Sequence, residues 1–417
     1  MGVTVRNISV KGRKVSAEVI VNEDINDVWY EFPWDMEKIA VRPGNAFLVA
    51  FLPIAMRVGG DICIEGKVSE NLIDKLETYQ DIMLKWHPEL HRVKILPQNI
   101  CADLELSDKR KIISCFTGGV DAFYTLIKHQ EEIDDLLYVW GFDLPITEQN
   151  FYAKVKQHLS VVAKKFNKNI VFIKTNLGFE VTNKYASWLD FCHGPAIASV
   201  VLLMSSEYKV CFLPSSSDYS VLLPCGSHIL TTPLWGCDNV ELIYDGAESS
   251  RIEKVEYISD NKVVQEHLRV CYSSNDEYNC CECEKCIRTM ASLEAIGKLD
   301  QVKTFQKPLV IEKINEIELS SERLAKTAEA TCSVAEKNGK KELAEQLKRQ
   351  IINYKSKALL QDFNENFEIL LENPDFVNVS QKIFNWYIQH DTKNAAKLLS
   401  ETAVKKIRRK MIKKPGN

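Results

Sequence analysis

The segment IISCFTGGVDA, residues 112–122, joins an apolar run to a glycine turn and to the start of a helical pattern. The apolar part has the length of a buried strand, and the pattern from Asp121 to His129 is helical. Two further apolar runs follow, at 136–140 and 170–173, with a helical stretch between them from Tyr152 to Phe166. Because strands that alternate with helices favour a mainly parallel sheet, residues 106–300 are predicted to form an α/β domain.

The turn at Gly118 and Gly119 has the setting that a phosphate requires. Backbone N–H groups at the start of a helix, with no Cβ in front of them, bind phosphate oxygens, and Thr117 adds a hydroxyl donor. A carboxylate at Asp121 would suit a Mg²⁺ ion carried by a triphosphate. The alternative is a strand-to-helix turn that needs glycine only for its backbone. Neither G-x-x-x-x-G-K-[ST] nor G-x-G-x-x-G occurs, which excludes a Walker-type loop and the dinucleotide fingerprint.

Four cysteines form a second motif with the spacing C-x8-C-x2-C-x2-C, namely Cys271, Cys280, Cys283 and Cys286. Short C-x-x-C turns place two thiolates on one ion, so this spacing predicts a tetrahedral Zn²⁺ site. A site closed by four sulfurs has no open position, and we therefore expect a structural rather than a catalytic metal. Cys281 is a fifth candidate ligand, and free buried cysteines are the alternative.

Composition is that of an ordinary globular protein. Of 417 residues, 45% are hydrophobic and 26% charged, which excludes a largely disordered or collagenous chain. The net charge of −4 does not call for a nucleic-acid partner of the whole chain. The longest apolar stretch, 46–56, is too short to span a bilayer, and no signal peptide pattern is seen, so a cytoplasmic protein without a membrane partner is expected. Thirteen cysteines in such a chain favour reduced thiols and a metal site.

Two flanking regions differ from the central one. Residues 1–105 are predicted to be β-rich, with alternating strands joined at Gly12 and a helix capped by Ser69. Residues 301–417 are predicted to be helical, because two apolar stripes occur there at helical spacing: Leu343, Leu347, Ile351 and Tyr354, then Ile383, Phe384, Tyr387 and Ile388. The basic tail, Lys405 to Lys414, is either a solvated end or a contact for nucleic acid or an acidic partner.

Further candidate site residues follow the strands of the central region. Asp143 comes after the second apolar run and either faces a nucleotide or caps the next segment. His193 opens an apolar helix as a ligand contact or a polar cap. Ser216, Asp218 and Tyr219 follow a further strand and have the groups to bind a purine-like base, or form a serine-rich loop without a role. Arg251 and Lys254 lie at i and i+3 on one helical face, either as cations for a departing phosphate or on a solvated face.

The glycine turn resembles the PP-loop of the ATP pyrophosphatases, S-G-G-x-D-S, with Thr117 in place of the first serine and Ala122 in place of the last. The first change keeps a hydroxyl and the second loses one. The resemblance implies a Rossmann-like (HUP) doubly wound α/β sheet and cleavage of ATP to AMP and pyrophosphate while a substrate is adenylated. It implies nucleotide contacts from the turn, namely Thr117, Gly118, Gly119, Val120 and Asp121. Asp143 is added to the predicted nucleotide contacts from its place at the next strand end.

Together with the cysteine motif, the turn resembles the 7-cyano-7-deazaguanine synthase (QueC) family over about residues 110–300. That family has glycine where this chain has Cys281, an Asp-Tyr pair matching Asp218-Tyr219, and a lysine near Lys254. The compact synthases have no counterpart of the first and last hundred residues. Enlarged relatives of this build occur beside antiviral defence genes in bacteria.

The predicted catalytic residues are Asp121, Arg251 and Lys254, and the predicted substrate-binding residues are His193, Ser216, Asp218 and Tyr219. Of these, the resemblance itself bears on Asp121, on Lys254 and on the pair Asp218-Tyr219. The expected reaction is ATP- and Mg²⁺-dependent adenylation of 7-carboxy-7-deazaguanine, followed by attack of ammonia or of a protein amine to give an amide or a nitrile. Two other functions stay open: a tRNA-modifying or sulfur-transfer enzyme that uses a cysteine such as Cys115 or Cys192, and a non-catalytic nucleotide-binding zinc protein. The oligomeric state also stays open, a homodimer included.

Overall fold

A computed structural model of the chain describes residues 2–271 and 277–370. The basic tail at 405–414 and the apolar stripe at 383–388 lie outside the described residues. The described part combines ten strands with ten α-helices. The protein belongs to the α/β class and has a large, mostly parallel sheet, as the sequence predicts.

All ten strands belong to one sheet with the order β10-β9-β6-β7-β8-β3-β2-β1-β4-β5. In chain order the strands are β1 (Val3–Lys11), β2 (Lys14–Val21), β3 (Asp24–Glu31), β4 (Ile62–Ser69), β5 (Ile95–Cys101), β6 (Lys111–Cys115), β7 (Asp135–Trp140), β8 (Asn169–Thr175), β9 (Tyr208–Pro214) and β10 (Glu241–Asp245). Strands β6 to β10 are parallel and lie in the order 8-7-6-9-10. Numbered among themselves, these five have the order 3-2-1-4-5, so the direction of winding reverses between β6 and β9.

Burial differs between the two halves of the sheet. Every residue of β7 is buried, as in a parallel strand covered on both faces. In β2, buried and partly exposed residues alternate, as in a strand with one covered face. The antiparallel hairpin of β1 and β2 turns at Gly12, which has a φ of +53°. The alternating pattern of the sequence therefore predicts the local structure of this region correctly.

Helices cover the sheet in two groups. The bounds are α1 (Pro43–Val58), α2 (Glu70–Trp86), α3 (Val120–Lys128), α4 (Gln149–Lys165), α5 (His193–Leu203), α6 (Arg251–Ser259), α7 (Lys262–His267), α8 (Glu284–Ala295), α9 (Glu322–Lys337) and α10 (Lys341–Leu370). Helices α1, α2 and α5 pack in one apolar core, and α3, α4, α6 and α8 contribute to a second core on the opposite face. Leu137 and Leu136, neighbours on β7, point into the first and the second core respectively.

The sheet runs without a break through the boundary predicted near residue 105. Strand β3 pairs with β8 at Tyr30 and Thr175, which joins the first strands to the parallel half. A buried ion pair also crosses this boundary: Arg42, just before α1, donates a 2.8 Å hydrogen bond to Asp238. Ser69 caps α2 by accepting a hydrogen bond from the N–H of Leu72, as its position in the sequence predicts.

The C-terminal part of the described chain is helical. Helices α9 and α10 pack on α8 in a third apolar core, which contains Leu343, Leu347 and Ile351 of the predicted stripe. Within the described ranges, no single helix has both the length and the apolar composition to cross a membrane. Two helical segments, Leu177–Lys184 and Trp188–Leu203, have that length and composition only when they are taken together, and the chain bends by 107° between them.

Candidate functional site

Polar segments meet at the edge of the sheet where the winding reverses. The glycine turn follows β6, and the serine-rich loop follows its neighbour β9. In an open α/β sheet, ligands bind in the crevice outside the carboxyl ends of the strands at such a reversal. The fold thus brings the two segments together although they are about a hundred residues apart.

The glycine turn keeps the first turn of α3 open. Gly118 has a φ of +79°, a conformation that residues with a Cβ rarely adopt, and its carbonyl accepts a 2.8 Å hydrogen bond from the N–H of Arg269. A Cβ on Gly118 would lie 3.1 Å from Cδ2 of Leu159. Gly119 is the N-cap of α3, and no side chain caps this helix. The N–H groups of the first turn are therefore available to an anion, and Thr117 beside them is exposed.

A cluster of opposite charges lies directly on this turn. Asp121, in the first turn of α3, accepts a 2.7 Å ion pair from Arg251 and lies 3.5 Å from Nζ of Lys254. Burial alone would raise the pKa of Asp121, but the charges of Arg251 and Lys254 outweigh it and lower the pKa to about 2. Asp121 is therefore ionised at neutral pH. The structure brings together the three residues that the sequence predicts as catalytic.

Lys254 is held in place from three sides. Its side chain is 2% exposed, its Nζ donates to the carbonyl of Ser215 over 2.6 Å, and it lies 5.6 Å from the centre of the Tyr124 ring. Helix α6 begins with a capping box between Ser250 and Glu253, which fixes the turn that carries Lys254. Buried lysine is rare in proteins unless it is paired or serves a ligand. The alternative that Lys254 lies on a solvated face of the helix is therefore wrong.

The carboxylates of this edge do not fit a protein-held Mg²⁺ ion. Both oxygens of Asp121 face cations, and Asp143 forms a 2.5 Å ion pair with Arg269. Mg²⁺ is usually bound through one or two carboxylates together with phosphate oxygens. Since each carboxylate here already has a cationic partner, a divalent ion would have to displace an arginine or arrive with the substrate.

Arg269 is the site residue that the sequence analysis missed. It is 2% exposed, and burial would lower its pKa, but Asp143 outweighs this and raises it. Its Nε and Nη2 have no hydrogen-bond partner among the described residues, although both are buried. The residue precedes the first cysteine of the metal motif by two positions, which is the only sequence signal that marks it. Asp143 thus contacts an arginine behind the glycine turn rather than capping a helix.

The serine-rich loop presents some of its predicted groups to solvent and uses others internally. Ser216 and Tyr219 are exposed, Tyr219 to 60%. Asp218 accepts hydrogen bonds from the N–H and the hydroxyl of Ser220, so its carboxylate shapes its own loop. Buried Ser215 lies at the base of the loop, where its carbonyl contacts Lys254. The loop therefore connects the cationic cluster to exposed polar and aromatic groups.

His193 is part of the framework below this loop. Its Nε2 is 2.8 Å from the hydroxyl of Ser227, and its Nδ1 is 3.2 Å from the carbonyl of Trp188. Burial lowers its pKa, so the imidazole is neutral at physiological pH. A Cβ on Gly226 would lie 2.5 Å from Nδ1, which shows how closely the loop covers the ring. Both ring nitrogens thus have partners within the protein, but His193 does not cap α5, whose N-cap is Cys192 and which has no side-chain cap.

The four cysteines of the metal motif converge as predicted. Their sulfur atoms all lie within 4.8 Å of one another, with 3.8 Å between Cys271 and Cys283 and 3.9 Å between Cys280 and Cys286. A tetrahedral zinc ion with Zn–S bonds of ~2.3 Å requires sulfur atoms ~3.8 Å apart, so the cluster fits zinc. Cys280 also accepts hydrogen bonds from the N–H groups of Glu282 and Cys283, which stabilise a thiolate. Zinc here would tie the start of α8 to the segment that carries Arg269.

Cys281 does not belong to this ligand set. Its Sγ contacts the carbonyl of Asn279 at 3.5 Å, and its backbone has a φ of +61°. The turn between Cys280 and Cys283 thus needs the left-handed conformation at the position where the resembling family has glycine. Cys281 is therefore not one of the four sulfur ligands that converge.

Comparison with family models, with curated proteins and with solved structures finds no match. The features of the molecule that bear on function are the cluster at the glycine turn, the loop beside it and the four cysteines.

Proposed function

We propose that this chain is an ATP-dependent enzyme that adenylates a carboxylate and transfers the acyl group to an amine, releasing AMP and pyrophosphate. The observation that supports this best is buried Lys254 with Arg251, both held against the open first turn of α3 by Asp121. Two cations and a row of free N–H groups are what a polyphosphate needs. The order of the parallel strands and the cysteine cluster support a PP-loop domain of the 7-cyano-7-deazaguanine synthase type, with Zn²⁺ as a structural metal.

In the proposed first step, an oxygen of the substrate carboxylate attacks the α-phosphorus of ATP, and the bond to the pyrophosphate oxygen breaks. Negative charge builds up on the departing pyrophosphate, and Lys254 and Arg251 stabilise it. In the second step the nitrogen of the amine attacks the acyl carbon, AMP leaves, and the nitrogen loses a proton to give the amide. Conversion of a primary amide to a nitrile consumes a second ATP. The protein contributes mainly orientation and electrostatic stabilisation.

The proposed carboxylate is 7-carboxy-7-deazaguanine, which the family resemblance supports. Exposed Ser216 and Tyr219 at the neighbouring strand end supply a hydroxyl and an aromatic ring for a flat, polar base. The amine is ammonia or an amine of a protein acceptor, and a role in antiviral defence belongs to the same proposal.

The sulfur-transfer alternative has less support. Cys192 is fully buried, and burial raises the pKa of its thiol to about 12, although Thr182 opposes the shift. Cys115 has its sulfur 3.9 Å from that of Cys211 on the adjacent strand, within the sheet. A reactive cysteine is instead expected to be accessible and to have a lowered pKa.

Mass spectrometry of a reaction with ATP, Mg²⁺ and 7-carboxy-7-deazaguanine tests the proposal, with and without ammonia. We expect AMP only when the deazapurine acid is present, and the mass of the acyl product identifies the amine. Asp121→Asn should abolish AMP formation, whereas Glu256→Gln, the same loss of charge at an exposed position of α6, should not. ATP that survives in every mixture while it still binds would instead support the non-catalytic nucleotide-binding protein.

A further inference from the structure

The bridging segment, residues 267–271 from the last residue of α7 to the first cysteine of the metal motif, lies along the glycine turn. The N–H of Arg269 donates a 2.8 Å hydrogen bond to the carbonyl of Gly118. A Cβ on Gly119 would lie 3.7 Å from the carbonyl oxygen of Arg269, which is ordinary contact distance. Because glycine has no side chain to fix its conformation, the turn depends on contacts of this kind from other parts of the chain.

One buried amide holds the opposite edge of the bridging segment. Asn279 is 3% exposed, and its Oδ1 accepts hydrogen bonds from the N–H groups of Val270 and Cys271 at 2.9 and 3.2 Å. Its Nδ2 donates to the carbonyl of Leu268 over 2.9 Å. The N–H of Arg269, between these groups, points the other way, to the glycine turn, as backbone groups do along an extended chain.

Asn279 belongs to the turn that carries the metal ligands. It immediately precedes Cys280, whose sulfur converges with that of Cys271 at the end of the bridging segment. The residue before it also contacts the segment, since the hydroxyl of Tyr278 donates to the carbonyl of His267 over 3.2 Å. Two consecutive side chains of the metal motif therefore hold the segment that contacts the glycine turn.

We propose that Asn279 is a positioning residue of the phosphate site, which acts through the bridging segment and holds Gly118 in the conformation that leaves the first turn of α3 open to an anion. This inference rests on the proposed function for its phosphate. N–H groups that are fixed before the anion arrives bind it more tightly, because no ordering cost is left to meet on binding. Zinc on the four cysteines would fix Cys271 and Cys280, on either side of the same contacts, so that the metal site and the phosphate site are connected.

Amide hydrogen exchange, measured by mass spectrometry on the full chain, tests this connection without any ligand. Asn279→Leu removes the amide but keeps a side chain of similar volume, and we expect faster exchange both in the bridging segment and in residues 117–123. Asn279→Asp keeps the acceptor oxygen and should give an intermediate rate. Gln80→Met is the matched control, because buried Gln80 likewise holds a backbone segment, with bonds of 3.1 and 2.9 Å to the carbonyl and the N–H of Val93. It should leave exchange in 117–123 unchanged.

Calorimetric titration with sodium pyrophosphate tests the consequence for binding. For Asn279→Leu we expect about 10-fold weaker binding than for the wild type, since the N–H groups must now be ordered as the anion binds. Gln80→Met should bind as the wild type does. Elemental analysis should find one zinc ion per chain in every variant, because Asn279 is not a ligand. Thermal unfolding checks the fold, and Asn279→Asp decides the test where Asn279→Leu does not fold.

The outcomes separate the two proposals. Unchanged exchange in residues 117–123, unchanged pyrophosphate affinity or loss of zinc from the Asn279 variants would each overturn the positioning role of Asn279 and leave adenylation standing. Wild-type protein that binds neither ATP nor pyrophosphate would overturn both.

Discussion

Asp121 and Arg251 are 130 residues apart in the chain, and their side chains form a 2.7 Å ion pair where α3 and α6 begin. A carboxylate is favourable at a helix N-terminus, but a cation there is not, because the helix dipole is positive at that end. Arg251, as the first residue of α6, therefore depends on Asp121. The ion pair thus offsets the unfavourable position of Arg251, and the phosphate of the proposed function would add a second anion there.

Arg251→Gln should be less stable than the wild type at pH 7, by about 1 to 2 kcal/mol from the lowered pKa of Asp121. In the wild type the folded-state pKa is about 2 against an ordinary value of 3.8, so the contribution is full above about pH 4 and is lost as the pH falls towards 2. The difference in the free energy of unfolding between the two proteins should therefore shrink from pH 4 to pH 2. Urea titrations across this range measure it. A difference that stays constant down to the lowest pH would mean that Asp121 is not stabilised by Arg251.

Lys254→Met should lower the rate of AMP formation by about 100-fold or more, as expected for loss of a group that stabilises charge in the transition state. The methionine keeps most of the volume of a side chain that is 2% exposed, so the fold should persist. Lys262→Met, at an exposed position of α7, serves as the control. Steady-state rates with saturating ATP and substrate give the comparison. A variant that retains its full rate would show that Lys254 has only a structural role.

Local patterns in the sequence predict much of the fold and only part of the site. Strand β7, the hairpin at Gly12 and the cap at Ser69 each depend on neighbours in the chain, and they form where the pattern indicates. The metal motif is also local in its last seven residues, from Cys280 to Cys286. The ion pair of Asp143 and Arg269 joins residues 126 positions apart, and no periodicity encodes that distance.

The contact between the first strands and the parallel half of the sheet is also long-range, and local sequence patterns do not predict it. Tyr30 pairs with Thr175 because the edge of β8 is free to accept an antiparallel partner, and this is a property of the assembled sheet. Composition indicates a β-rich region there, but it does not say which edge that region extends. The place of α9 beside α6 and α8 is likewise decided by packing.

Cys281→Gly should stabilise the protein by about 1 kcal/mol, because a residue with a Cβ pays that order of free energy in the left-handed conformation and glycine does not. Cys281 has a φ of +61°, and its thiol contacts the carbonyl of Asn279 and the backbone of Gln306 and Lys307. Zinc content should stay at one ion per chain, since Cys281 lies outside the ligand set. Urea unfolding together with elemental analysis tests both statements. Loss of zinc in this variant would show that Cys281 is one of the zinc ligands.

Cys286→Ser should lose zinc and, with it, tight binding of pyrophosphate. Cys286 lies in the first turn of α8, and the next turn carries Thr289, which is 3.5 Å from Nη2 of Arg251. The metal thus fixes the helix that lies beside this cation, and its loss should cost several kcal/mol of stability. Cys332→Ser is the matched control, because Cys332 is also buried, in α9, but lies outside the cluster. Elemental analysis and calorimetry with pyrophosphate are made on the same samples. Full pyrophosphate affinity in zinc-free protein would show that the metal and the phosphate site are independent.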